Sequence, residues 1–171
     1  MFLYEYDDFL KDLIYLYKAK YNRSLAIVFT YKHKWMLKRK YKNYTFLCVP
    51  SNISDNKKRG YNHVEEIAKT ISSKVLCPFE KVFEWKQSSK SKEEREKIKK
   101  CIILNDFGVQ KIKKIVLIDD IYSTGNTIKS CIRHLNAKSD IKVLCICRNM
   151  SKKIWFFGWF LIENIGVFFY S

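Results

Sequence analysis

Glycine and proline are scarce, at 5 and 2 of 171 residues, which excludes collagen-like and Pro/Gly-rich low-complexity chains. No period of 20 to 50 residues recurs, so repeat arrays are excluded as well. The cysteines at positions 48, 77, 101, 131, 145 and 147 form no CxxC pair, and no histidine stands at finger spacing, which argues against zinc ribbons and redox dithiols. Cys48, Cys145 and Cys147 fall inside apolar runs and read as small hydrophobes. Met1 to Asp8 has neither a basic nor an apolar leader segment, so no secretory signal is expected and a cytoplasmic, reduced protein is. Acidic residues are few: 17 Asp+Glu stand against 33 Lys+Arg, a formal charge of +16.

What is present is a core-forming composition. Apolar residues make up 47%, with 12 Phe, 11 Tyr and 4 Trp, enough to exclude a disordered basic tail. The chain divides into one domain over 1–150, with residues 1–40 as a helical lead-in, and a hydrophobic extension over 151–171. The positive excess suggests polyanionic partners without choosing among nucleic acid, an anionic membrane and phosphorylated small ligands. Lys34 to Lys42 carries five basic residues and no acid, whereas in Lys90 to Lys100 the bases alternate with Glu93, Glu94 and Glu96.

Tyr6, Phe9, Leu10, Leu13, Ile14 and Tyr17 recur at helical spacing, as do Leu25, Val28, Phe29 and Met36, which predicts two amphipathic helices. Tyr44 to Val49 reads as a strand stopped by Pro50. Asn62 precedes a helical stripe of Val64, Ile67, Ala68 and Ile71, with Glu65 and Glu66 in its first turn. Residues 75–85 suggest a further strand interrupted by Pro78, and Gln87 to Lys100 a long flexible loop. Ile115 to Ile118 is a strand of the kind buried on both faces. Ile128, Cys131, Ile132 and Leu135 form the next helical stripe, and Ile141 to Cys147 the next strand. This alternation predicts an α/β fold with a doubly wound, mostly parallel sheet, whose ligands bind beyond the carboxyl ends of its strands.

Between strand and helix lies Val116 to Thr127, VLIDDIYSTGNT. Ser123, Thr124, Gly125, Asn126 and Thr127 put hydroxyl and amide groups around a glycine at a helix start, a phosphate cradle distinct from both the Walker loop and GxGxxG. Asp119 and Asp120 would repel each other and a phosphate unless hydroxyl donors or cations satisfy them, and the two hydroxyls of a ribose are such donors. Tyr122 reads either as a base-stacking ring or as core packing. Tyr61 and His63 carry the same ambiguity, and His63 reads first as a hydrogen-bonded structural residue.

This segment resembles the phosphoribosyl-pyrophosphate (PRPP) signature of type I phosphoribosyltransferases. Val49, Pro50 and the run Lys58, Arg59, Gly60, Tyr61, Asn62 resemble the ComF-like competence branch, as do Gln87, Ser91 and Arg95. No counterpart of the branch's amino-terminal zinc module is expected from these residues. A second loop proline is missing at about Asn52, and the Asn expected after Arg95 is replaced by Lys97 or Ile98. The resemblance implies that Asp119 and Asp120 hold the ribose hydroxyls and that Ser123 to Thr127 hold the 5′-phosphate. Ser51, Asn52, Arg59 and Arg95 would neutralise the departing pyrophosphate, and Mg²⁺ would be held mainly through PRPP. It further implies transfer of the phosphoribosyl group to an unidentified base or amine, linked to natural competence and DNA uptake. The alternative is a non-catalytic module on the same fold, sensing PRPP or binding single-stranded DNA or DNA-uptake proteins.

Ile154 to Tyr170, preceded by Lys152 and Lys153, is apolar but interrupted by Glu163 and Asn164. It reads as an element packing on the core or a partner, as a peripheral membrane contact over 152–171, or, least favoured, as a span.

Overall fold

The computed structural model describes residues 1–51, 56–57, 59–83, 100–105 and 108–149, with residues 82–83 and 100–101 described by backbone alone. The flexible loop expected over Gln87 to Lys100, apart from the backbone of Lys100, and the 151–171 extension therefore lie outside the described residues.

Among the described residues, five parallel strands build the main sheet in the order β1-β7-β6-β2-β3. These are β1 (Phe2–Glu5), β2 (Thr45–Cys48), β3 (Val75–Leu76), β6 (Lys114–Tyr122) and β7 (Asp140–Arg148). The doubly wound, parallel α/β expectation is met. A separate antiparallel pair, β4 (Phe79–Phe83) with β5 (Lys100–Leu104), registers Phe79 opposite Leu104. The strand expected over 75–85 is thus two strands in two sheets. Pro78, which cannot donate to a ladder, stands at the break, and its carbonyl accepts from Asn105 N at 2.8 Å.

Side chains alternate between two cores because strand neighbours point to opposite faces. Phe46, Cys48, Val116, Ile118, Leu144 and Ile146 face one core, and Leu47, Val49, Ile115, Leu117, Val143 and Cys145 the other. The first core is covered by α1 (Asp8–Ala19), α2 (Lys34–Lys40) and α3 (His63–Ile71), through Leu10, Ile14, Tyr17, Leu37, Val64 and Ile67. The second is covered by α4 (Asn126–Ile132), through Ile128 and Cys131. Apolar strands covered on both faces are what an all-parallel sheet requires.

Two expectations for the first 40 residues are corrected. Residues 2–5 form β1, the edge strand beside β7, because the sheet supplies the backbone partners that local periodicity does not reveal. The second amphipathic helix is instead two 3₁₀ turns, Arg23–Ile27 and Tyr31–His33, followed by the short α2. Its apolar residues do not all turn inward: Phe29 is buried while Val28 is exposed. α1 begins where the side chain of Asp7 accepts from Leu10 N at 2.7 Å, and α3 where Asn62 Oδ1 accepts from Val64 N at 3.0 Å.

Candidate functional site

β2 leads through α3 to β3 on one side of the sheet, while β6 leads through α4 to β7 on the other. The chain therefore reverses its winding between the adjacent strands β2 and β6, and the crevice outside their carboxyl ends is where such sheets take ligands. Val49 N donates to Ile118 O at 2.9 Å, which fixes the start of the segment after β2 beside the end of β6. β6 is longer than Ile115 to Ile118 and carries both Asp119 and Asp120 within it.

Pairing inside a strand sends the two acids to opposite faces. Asp120 continues the alternation of Val116 and Ile118 toward the α1 and α3 side. Asp119 continues that of Ile115 and Leu117: the thiol pKa values of Cys131 and Cys145, residues of the second core, are raised first by burial and then by its charge. Their surroundings differ accordingly. Oδ2 of Asp120, a residue 8% exposed, ion-pairs with Nζ of Lys18 from the last turn of α1 and lies 3.2 Å from Nε2 of His63. Burial opposes that charge, yet Lys18 and His63 together hold the carboxyl well below the usual carboxylate range. Asp119 is half-buried, and no cation lies against it among the described residues. Burial, followed by the neighbouring charge of Asp120, pushes its carboxyl well above the ordinary value.

His63 extends the Asp120 contact outward. Its Nδ1 lies 3.0 Å from Nη1 of Arg59, and since a guanidinium can only donate, Nδ1 accepts and the ring proton sits on Nε2, facing Asp120. The ring is neutral in this arrangement, in keeping with a pKa lowered chiefly by burial. Arg59 also donates through Nε to Lys18 O at 3.2 Å and through Nη1 to Asn56 Oδ1 at 3.2 Å, and it stands over the Tyr61 ring at 5.9 Å. Asn56 Oδ1 accepts from Ser51 Oγ at 2.8 Å. Ser51, Lys57, Gly60, Tyr61 and Asn62 line a cleft of about 440 Å³ together with Phe79 and Glu80 of β4.

After β6 the chain turns through Ser123 and Thr124 into Gly125, whose φ of +71° few side chains tolerate. A Cβ there would lie 2.8 Å from the Tyr122 hydroxyl. Thr124 and Asn126 are exposed, Ser123 and Thr127 half-buried, and α4 starts without a side-chain cap. Tyr122 packs edge-on against Phe2 at 5.2 Å, which is the packing role. Tyr61 also has one, donating to Tyr17 O at 2.9 Å.

Ser51 and Arg59 are thus joined through Asn56, and Arg59 is joined to Asp120 through His63. Asn52, Gln87, Ser91 and Arg95 lie outside the described residues. Lys18 was missed by sequence reasoning, since nothing local relates a lysine ending the first helix to an acid late in the chain.

A family model, PRTase-CE, matches residues 2–162. The chain belongs to the PRTase-CE family. Its ComF-like, phosphoribosyltransferase-type membership is supported by two curated relatives. The chain is 34% identical over 149 residues to Competence protein ComFC of Streptococcus pneumoniae (strain ATCC BAA-255 / R6), covering 85% of this chain and 66% of that one. It is 27% identical over 138 residues to Competence protein ComFC of Bacillus subtilis (strain 168), covering 80% of this chain and 57% of that one. The chain therefore spans less than two thirds of the length of either relative. Among the described residues, no helix is long and apolar enough to cross a membrane, and no cluster of three or more His, Cys, Asp or Glu could hold a metal.

Proposed function

We propose that this member of the PRTase-CE family binds PRPP with Mg²⁺ and transfers its phosphoribosyl group to a base or amine acceptor. The observation that carries this reading is Asp119: a half-buried carboxylate with no cation against it among the described residues, in the carboxyl-terminal half of β6, shortly before the Gly125 turn. A ribose hydroxyl donating to Asp119 would add a donor to a carboxylate whose one donor among the described residues is the Asp120 amide. Mg²⁺ when bound would be held mainly through PRPP oxygens and would offset pyrophosphate charge. Ser123, Thr124 and the open amides starting α4 suit the 5′-phosphate. In the transfer, the acceptor's lone pair forms a bond to C1′ while the C1′–O bond breaks and pyrophosphate leaves with the electron pair. Arg59 and Ser51 face that leaving group from the segment after β2. The similarity to competence proteins supports a role in DNA uptake.

Calorimetry of the full chain with PRPP and Mg²⁺ tests the reading. Binding that disappears in Asp119→Asn is expected, and absence of binding to the wild type overturns it.

A second reading, single-stranded DNA binding, is favoured by one surface. Trp35 and Tyr31 are 74% and 77% exposed, and Arg39 stands over the Trp35 ring at 5.6 Å. Lys34 and Lys38 line an adjoining cleft of about 530 Å³, in which Arg23 and Lys69 are ion-paired with Glu66. Exposed rings beside cations suit stacked bases and their phosphates. Oligothymidylate affinity that falls steeply with salt and drops in Trp35→Ala is the expected result, and salt-independent or absent binding rejects it.

A further inference from the structure

The contacts of the two acids separate roles that their adjacency in sequence would merge. Asp120 is already engaged by Lys18 of α1 and His63 of α3, and it is almost fully buried. Asp119 is engaged by Asp120 N, which donates to its Oδ1 at 2.9 Å, and by no side-chain cation among the described residues. We propose that Asp119 alone of the pair contacts the sugar, while Asp120 is a positioning residue that, with Lys18 as its fixed counter-ion, holds Arg59 in place through His63. This rests on the phosphoribosyl reading of the site and assigns its division of labour.

The chain of contacts has one consistent polarity. Arg59 donates to Nδ1 of His63, Nε2–H faces Asp120, and Lys18 balances the carboxylate. Arg59, donating to Nδ1, and the negative charge of Asp120, 3.2 Å from Nε2, both favour the imidazole proton on Nε2, and neutralising Asp120 removes the second of these. The other tautomer would present N–H to the N–H of Arg59, so the guanidinium would lose that anchor. Lys18 fixes Arg59 a second way, because its carbonyl accepts from Arg59 Nε. Among the described residues these contacts engage Nε and Nη1, leaving the Nη2 donors for an anion entering beside Ser51.

The test uses the full chain, PRPP with Mg²⁺, and inorganic pyrophosphate with Mg²⁺ as a probe that has no ribose. Asp119→Asn should abolish PRPP binding and leave pyrophosphate affinity unchanged. Asp120→Asn and Lys18→Met should weaken both ligands by the same factor, on the order of tenfold for one charge-assisted contact. Lys18→Arg should restore most of it. Independently of any ligand, ¹⁵N spectra of the His63 ring, identified by its loss in His63→Gln, should show proton on Nε2 in the wild type and a shifted tautomer balance in Asp120→Asn. Loss of PRPP but not pyrophosphate affinity in Asp120→Asn would make Asp120 a direct sugar ligand and overturn the proposal. If the wild type binds neither ligand, the phosphoribosyl reading fails by itself. The spectra still decide the anchor, which an unchanged His63 tautomer in Asp120→Asn would refute.

Discussion

Nε2 of His63 lies 3.2 Å from Oδ2 of Asp120, and the ring between Asp120 and Arg59 is neutral. Burial holds its pKa below 6.5, with Arg59 and Lys18 acting in the same direction and Asp120 against them. A depressed folded-state pKa means that the unfolded chain binds the proton more readily. The stabilisation is therefore complete above about pH 6.5 and is lost as pH falls through the folded value. Thermal melts at pH 7.5 and below 6 should show a smaller loss of Tm for His63→Gln than for the wild type. Equal losses in the two proteins would remove His63 as the cause.

Asp119 has the opposite sign. Its carboxyl is raised, so its ionised form is costly in the fold, and the cost grows as pH rises above the ordinary carboxylate range. Asp119→Asn should raise Tm at pH 7 while abolishing PRPP binding, the trade expected of a strained functional charge. A lowered Tm would mean that the carboxylate is structural. Near pH 3, where the native side chain is protonated as well, the difference between the two proteins should shrink.

Gly125→Ala meets two penalties. The left-handed backbone costs about 1–2 kcal/mol with a Cβ, and the Cβ would press on the Tyr122 hydroxyl. Gly125→Ala in a Tyr122→Phe background should recover part of the loss in chemical denaturation. No recovery would show that the backbone conformation alone sets the cost.

Asn62→Ala removes an acceptor from two amides at the start of α3, Val64 N at 3.0 Å and Glu65 N at 3.4 Å. A loss of about 1 kcal/mol in urea unfolding is expected. Phe46→Ala, at a position with no exposed surface, should cost about 3–5 kcal/mol. The contrast separates a local cap from a core position whose packing crosses the sheet.

Much of the fold was legible because its signals are local. Four apolar residues in Ile115 to Ile118, the Asn62 cap and the Gly125 turn each depend on residues within one element. The same holds for the run from Asp119 to Thr127, whose composition alone carries the expectation of a phosphate cradle. β1 was not legible, since four residues without their own periodicity become a strand only when β7 offers a ladder. Nor was the break at Pro78 readable as a change of sheet, because partner choice depends on strands far along the chain.

The sequence by itself determined which residue types stand at the end of β6 and that two carboxylates are adjacent there. Only the tertiary structure decided that their surroundings differ. Strand geometry turns neighbouring side chains to opposite faces, and one face happens to receive Lys18 and His63 from helices early and midway in the chain. Charge compensation at a buried group is a property of what packs against it, and packing joins residues that no local pattern relates.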